Sequence, residues 1–283
     1  MKTISILETF DTETNERKQI KEYDYKIEAP NWLPNKNKLI YNSKGLINII
    51  DLDTMEDKVL ETGICNNCNN DHVLSPDGKN LAVSYMPEDG TSYIYMMPFG
   101  SPEVTQLTPL SPSFLHGWSI DDEITYCAFR GADKVDIYVK SIHGGDEKRL
   151  TDGVGYNDGP EYSPEGDEIW FNSTRGESGL MQVWKMDRNG TDLKQITDTD
   201  SNCWFPHISP DGKKIVYLEF RKDEVKPHEH LSRKHVSLWL MNRDGTDQKK
   251  LCDVFGGQGT INVNSWDSTS TKFAFVSYRV EEE

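Results

Sequence analysis

Neutral imidazole is the commonest side-chain ligand for divalent metals and the commonest proton-transfer group near neutral pH. The chain holds seven histidines, and their neighbours are unevenly chosen. Three stand in short polar segments that run straight into apolar stretches, as Asn70-Asp71-His72, Phe114-Leu115-His116 and Trp204-Phe205-Pro206-His207. His228, His230 and His235 crowd one long segment ahead of Val236-Ser237-Leu238, and His143 alone lies in a glycine turn. Three uses of this set stand side by side. The rings can be hydrogen-bonding plugs of a polar channel, ligands of a divalent ion, or catalytic groups acting without metal. As ligands, His72, His116, His207 and His230 are the four whose placement fits one ion, its identity open among Mn, Zn, Ni, Fe and Ca.

Around them lie groups suited to a sugar. Tyr156 and Trp204 offer stacking faces, and Asn157, Gln258 and Asn262 offer hydroxyl partners, although aromatic side chains also serve as core. Asp158 is a candidate general base, weak unless burial or a like charge raises its pKa. Arg175 can pin a substrate oxygen or serve as an ordinary surface arginine. Gly256-Gly257-Gln258-Gly259 lacks the following helix and Lys-Ser/Thr of a phosphate loop, so its glycines read as a close backbone approach. Cys65-Asn66-Asn67-Cys68 lacks the second pair of a structural zinc site and the helix of a redox motif, which leaves a free-thiol loop.

Residues this far apart cooperate only if the fold gathers them, and the repeats show how. Pro160-Glu161-Tyr162-Ser163-Pro164-Glu165-Gly166 returns as Pro206-His207-Ile208-Ser209-Pro210-Asp211-Gly212, each followed by an apolar run. Six such inner-strand starts occur, and the spacings between Leu33, Ser75, Ser119, Ser163, Ser209 and Asp267 are 42, 44, 44, 46 and 58 residues. About four strand signals per repeat at this period predict an all-β, six-bladed β-propeller over residues 1–283 as one domain. The chain stops after Lys272–Tyr278, a second strand, and begins with Ile4–Glu8 and Arg17–Ile20, a third and a fourth. The last blade is therefore expected to close with two strands from each terminus, leaving no open edge around the ring. Six of the seven histidines then map to one face, and His143 to the other. Asp77, Glu165 and Asp211 read as turn formers of the opposite face rather than paired catalytic carboxylates.

Composition narrows the partners. A formal charge of −16, from 47 acidic against 31 basic residues, opposes nucleic acid and anionic membranes. Met1–Phe10 has one lysine and no apolar run of signal-peptide length, and five cysteines form an odd set. Both set the expectation of a soluble, cytoplasmic chain with reduced thiols. The Glu281-Glu282-Glu283 run reads as a solvated end.

The Ser-Pro-Asp-Gly-Lys repeats with Asp-Gly hairpins resemble the TolB-type (PD40, WD40-like) repeats of bacterial propellers over nearly the whole chain. Asn70-Asp71-His72, His116-Gly117-Trp118-Ser119, Asn157-Asp158-Gly159-Pro160 and Phe255-Gly256-Gly257-Gln258-Gly259-Thr260 narrow the likeness to stand-alone TolB-related six-bladed proteins. Asp267-Ser268-Thr269-Ser270 departs from the pattern by losing Pro and Gly. Oligogalacturonate lyases are a more distant likeness: similar propellers that hold manganese with histidines and a glutamine. That resemblance implies a reaction type, metal-dependent β-elimination on an oxidised sugar; this chain offers histidines and Gln258 on the corresponding face, and no motif aligns residue by residue. The reading from another class is a non-catalytic propeller whose face binds a small glycan or a protein partner.

Overall fold

The computed structural model describes residues 2–131 and 134–281; Glu282 and Glu283 of the acidic tail lie outside the described residues. Six antiparallel sheets follow one another around a ring. Five have four strands each in simple up-and-down order. Their innermost strands are Glu28–Trp32, Cys68–Leu74, Ser113–Trp118, Asn157–Tyr162 and Asn202–Ile208, which define blades one to five. The apolar side chains of neighbouring blades interdigitate. Leu39 and Tyr41 of blade one pack with Ala274 and Val276 of blade six, and Ile40 and Ile47 pack with Leu74 and Val83 of blade two. A fully buried Leu, Ile or Val among them contributes about 1.5–3 kcal/mol of transfer free energy.

Blade six closes the ring. Lys2–Asp11 pairs along its whole length with Lys272–Glu281, and Glu16–Tyr23 forms the outer edge. Glu8, only 5 % exposed, locks this seam: it accepts hydrogen bonds from Ser277 Oγ at 2.5 Å and from Arg17 at 2.6 and 2.8 Å. The innermost strand of this blade shrinks to a single bridge, Trp266 to Phe273. Its divergent turn still closes, because Asp267 accepts the main-chain N–H groups of Thr271 and Lys272, both at 3.1 Å. Ser270 takes the left-handed conformation (φ 61°) that glycine supplies elsewhere.

Each of the five inner strands carries a register shift near its middle. Ala29, Gly159 and Phe205 stand at corresponding places in these bulges, with φ of 53°, 61° and 55°. The bulge corrects one expectation. Residues 70–72, 114–116 and 204–207, read from sequence as polar segments that lead into apolar strands, belong to the inner strands themselves. A bulge breaks the two-residue alternation that marks a strand in sequence, and it re-aims the side chains beside it. The Ser-Pro turns lie at the far end of the channel as expected. Asp77 and Asp211 accept from their own Ser75 and Ser209 hydroxyls, both at 2.7 Å. In blade four Asp167 takes that role, while Glu165 pairs with Arg243 at 2.9 Å.

Candidate functional site at the channel mouth

A cavity of about 240 Å³ opens where the N-terminal halves of the inner strands converge. Its polar wall is formed by Asn69, Asp71, His116, Asp158, His230, Gln258 and Asn262, and its apolar wall includes Phe114, Phe129, Tyr156 and Phe205. At its floor, His116 Nε2 of blade three lies 3.1 Å from Asp158 Oδ1 of blade four. The same carboxylate oxygen accepts from the Cys127 thiol at 2.9 Å and from the Gly159 N–H at 2.7 Å. His230, on the long segment joining the second and third strands of blade five, brings Nε2 to 3.6 Å from Asp158 Oδ2. Phe205 stacks on the His116 ring, with centroids 6.4 Å apart and planes 23° apart, and edges onto His230 at 5.8 Å. A left-handed phenylalanine is strained, by about 1–3 kcal/mol, and such strain clusters where side chains must be aimed.

A second buried carboxylate faces the same space. Asp71 accepts from Asn262 Nδ2 at 2.6 Å and from Asn69, while Asn262 Oδ1 has no partner although the residue is 1 % exposed. The two aspartates are pushed in opposite directions. Burial dominates at Asp71 and raises its pKa, with the Asp158 charge adding to it. At Asp158 burial is outweighed by the His116 hydrogen bond and the His116 and His230 charges, and the carboxyl falls to about 2. Burial would lower the His116 imidazole, but the Asp158 hydrogen bond and charge, then Asp71 and Glu161, raise it. Burial and the adjacent Asp158 charge push the Cys127 thiol well above the ordinary thiol range.

The structure gathers some of the candidates and disperses others. His116, His230, Asp158, Tyr156, Gln258 and Asn262 line the cavity. The four-histidine ligand set is not assembled. His207 stands two residues before the serine that opens its turn, Ser209, whereas His72 and His116 stand three before theirs, Ser75 and Ser119, and adjacent strand positions face opposite ways. Both His207 nitrogens are engaged, Nδ1 with Glu161 Oε2 at 2.6 Å and Nε2 with the Ile261 carbonyl at 2.5 Å. The His72 ring is fully buried, and burial lowers its pKa to about 4, against a small opposing pull from the Ala29 main chain. Neither His72 ring nitrogen has a partner of good hydrogen-bond geometry.

Three other candidates are structural. Trp204 is fully buried against Phe205 and His230, at 5.5 and 4.7 Å between centroids, so it offers no free stacking face. Asn157 ties blade four to blade three through the Val135 carbonyl at 3.2 Å and the Asp136 carboxylate at 3.3 Å. Arg175 lies between the Phe171 and Trp184 rings and reaches Asp152 at 3.2 Å, outside the cavity wall. Sequence reading missed Asp71, Cys127 and the Phe205 clamp as site residues. Asp71 stood in a motif already singled out, but no spacing pointed to Cys127, which is on a second strand.

The other motifs take their plain readings. Gly257 has φ 126° and no room for a Cβ against Leu231 and Ser232, which fits a close backbone approach, and Gln258–Thr260 forms one 3₁₀ turn. Cys65 and Cys68 are buried free thiols, and burial pushes Cys65 up to about 12. Among the described residues no helix is long and apolar enough to cross a membrane.

Fold and site together define a six-bladed propeller with a buried acidic and imidazole pocket at one channel mouth. A family model described as the TolB beta propeller domain, PD40, matches residues 110–236. An uncharacterized protein of Agrobacterium fabrum strain C58 is 41 % identical over 278 residues, 97 % of this chain and 92 % of that one. The solved structure of a candidate TolB from Agrobacterium tumefaciens is 39 % identical, covers 99 % of both chains and superposes with a TM-score of 0.94. The Tol-Pal system protein TolB of Francisella tularensis is 31 % identical over 89 % of this chain, which spans 57 % of that protein's length. The chain belongs to the TolB-type β-propeller family.

Proposed function

We propose that the channel mouth binds one small polar molecule of monosaccharide size and moves protons on it. The observation that carries this reading is the pair Asp71 and Asp158, buried in one cavity with pKa values driven apart. Two carboxylates so separated divide acid and base work between them. Asp158 stays ionised and holds His116 charged, so His116 is the donor to a ligand oxygen. Asp71, raised by burial, is the stronger base of the two aspartates. Gln258 and the free Asn262 Oδ1 supply contacts for hydroxyls, and Tyr156 and Phe205 supply apolar walls. An oxidised sugar undergoing β-elimination fits these roles: Asp71 takes the proton beside a carboxylate and His116 protonates the departing oxygen.

The test is a thermal-shift screen of neutral sugars and sugar acids at millimolar concentration, followed by NMR of any ligand that binds. A midpoint rise that disappears in Asp158→Asn and Asp71→Asn supports the reading. No rise with any sugar, or a rise untouched by both substitutions, removes it.

A second reading, a docking platform, draws support from the family tie to a Tol-Pal system protein. Leu231, half-exposed beside His230, offers an apolar contact there. Partner capture that survives Asp71→Asn and Asp158→Asn, together with no sugar binding, favours it.

A further inference from the structure

Among the described residues one group of unlike donors lies close enough together to share an ion. His116 Nε2, Cys127 Sγ and an Asp158 oxygen all lie within 4.8 Å of one another, and all three residues are buried. They come from the inner strand of blade three, the second strand of blade three and the inner strand of blade four. We propose that these three side chains form a binding site for a single divalent ion of the zinc class. The proposal rests on the same cavity as the proton-transfer reading; with the ion bound, His116 and Asp158 serve as its ligands, and the ion takes over as Lewis acid the role given to His116 at the departing oxygen.

The donor chemistry selects the ion. Calcium and magnesium take oxygen ligands, while thiolate with imidazole and one carboxylate suits zinc, cobalt(II) or iron(II). Manganese and calcium, reasonable for a histidine-only or oxygen-rich site, become poor fits once Cys127 joins the set. Tetrahedral zinc at 2.0–2.3 Å from each donor places donors about 3.4 Å apart. The present separations, 3.1 Å from His116 to Asp158 and 2.9 Å from Cys127 to Asp158, need to widen by about 0.3 and 0.5 Å, and His116 and Cys127 lie within 4.8 Å of each other.

Geometry also supports the role of each neighbour. The Cys127 thiol aims its hydrogen at a carboxylate inside a cavity, unlike the inert buried cysteines of an apolar core. The Phe205 ring fixes the His116 plane, and the Gly159 N–H holds the Asp158 carboxylate in place, as supporting contacts do around metal ligands. The exchange balances. The ion forms bonds to sulfur and imidazole nitrogen as the Cys127 thiol proton and the proton on His116 Nε2 leave to solvent, and no electron changes hands. With three protein donors and an open cavity beside them, a ligand oxygen can complete the shell.

Cobalt(II) titration of the chelator-treated chain tests this. One equivalent is expected to produce a thiolate-to-cobalt charge-transfer band with tetrahedral d–d bands, and zinc is expected to bleach both. In Cys127→Ser the charge-transfer band is expected to vanish. In His116→Gln the one-equivalent end point is expected to be lost. No sulfur band in the unaltered chain overturns the proposal. So does a band that persists in Cys127→Ser, which would assign it to Cys65 and Cys68 or another thiol. If Cys127→Ser loses its native circular dichroism, His116→Gln decides alone, and an unchanged cobalt spectrum overturns the site. Sugar binding measured in chelator-treated protein separates the two readings: binding without a cobalt site removes the ion and leaves the proton-transfer pocket. A cobalt site with no sugar binding leaves the ion and removes the sugar.

Discussion

His116 Nε2 and Asp158 Oδ1 lie 3.1 Å apart although their residues belong to the inner strands of different blades. The pair joins blade three to blade four at the floor of the mouth cavity, and its two pKa values move in opposite directions. Stability therefore depends on pH with a definite sign. The raised imidazole contributes stability that is complete below its unfolded value, near 6.5, and is lost as pH rises through the folded value. The lowered carboxyl contributes above its unfolded value, near 3.9, and that part is lost as pH falls towards about 2. In His116→Gln the urea midpoint is expected to fall less steeply above neutral pH than in the unaltered chain. An identical pH profile in the two proteins counts against the pair.

Glu161 is expected to be the costliest carboxylate to remove. It accepts from His207 Nδ1 and Asn264 Nδ2, both at 2.6 Å, and from the Ile208 N–H at 3.0 Å, joining blade four to blades five and six. Removing Glu161 strands three donors at once, and each buried group left without its hydrogen-bond partner costs about 1–3 kcal/mol. Denaturant unfolding of Glu161→Ala, His207→Ala and the double variant checks this. The double variant should lose less than the sum of the single losses, and strict additivity would deny the coupling.

Gly159→Ala is expected to disturb site and fold together. Gly159 has φ 61°, and an added Cβ would meet Asn172 Oδ1 at 2.5 Å. Its N–H also holds Asp158. A loss of about 1–3 kcal/mol in unfolding free energy is expected from the forced backbone alone, with weakened binding at the mouth. A fully stable Gly159→Ala chain would mean that the bulge is not needed.

The seam between the termini is expected to control solubility. Lys272–Glu281 pairs with Lys2–Asp11 throughout, and Leu7 there is fully buried. Leu7→Ala should cost about 2–5 kcal/mol as a buried large-to-small change. Deleting residues 2–23 should expose an unpaired strand edge and drive self-association. Sedimentation velocity would show it, and a monomeric deletion variant would deny the role of the seam.

The sequence by itself determined the ring: the Ser-Pro-Asp-Gly turns, the repeat spacing and the divided last blade are local signals, and each maps onto a strand or turn. It also placed His116, Asp158, His230, Gln258 and Asn262 at one mouth, because propeller topology assigns each blade's loops to a face. Tertiary structure decided which of these side chains meet. A one-residue difference in phase sends His207 to Glu161 and leaves His116 with Asp158, and the strand bulges hide that phase from any period of two. Cys127 and Asp71 joined the site, and Trp204, Asn157 and Arg175 left it, because direction and burial depend on the neighbouring blade. A chain read alone does not contain that neighbour, so it can locate a mouth but not choose the atoms that face into it.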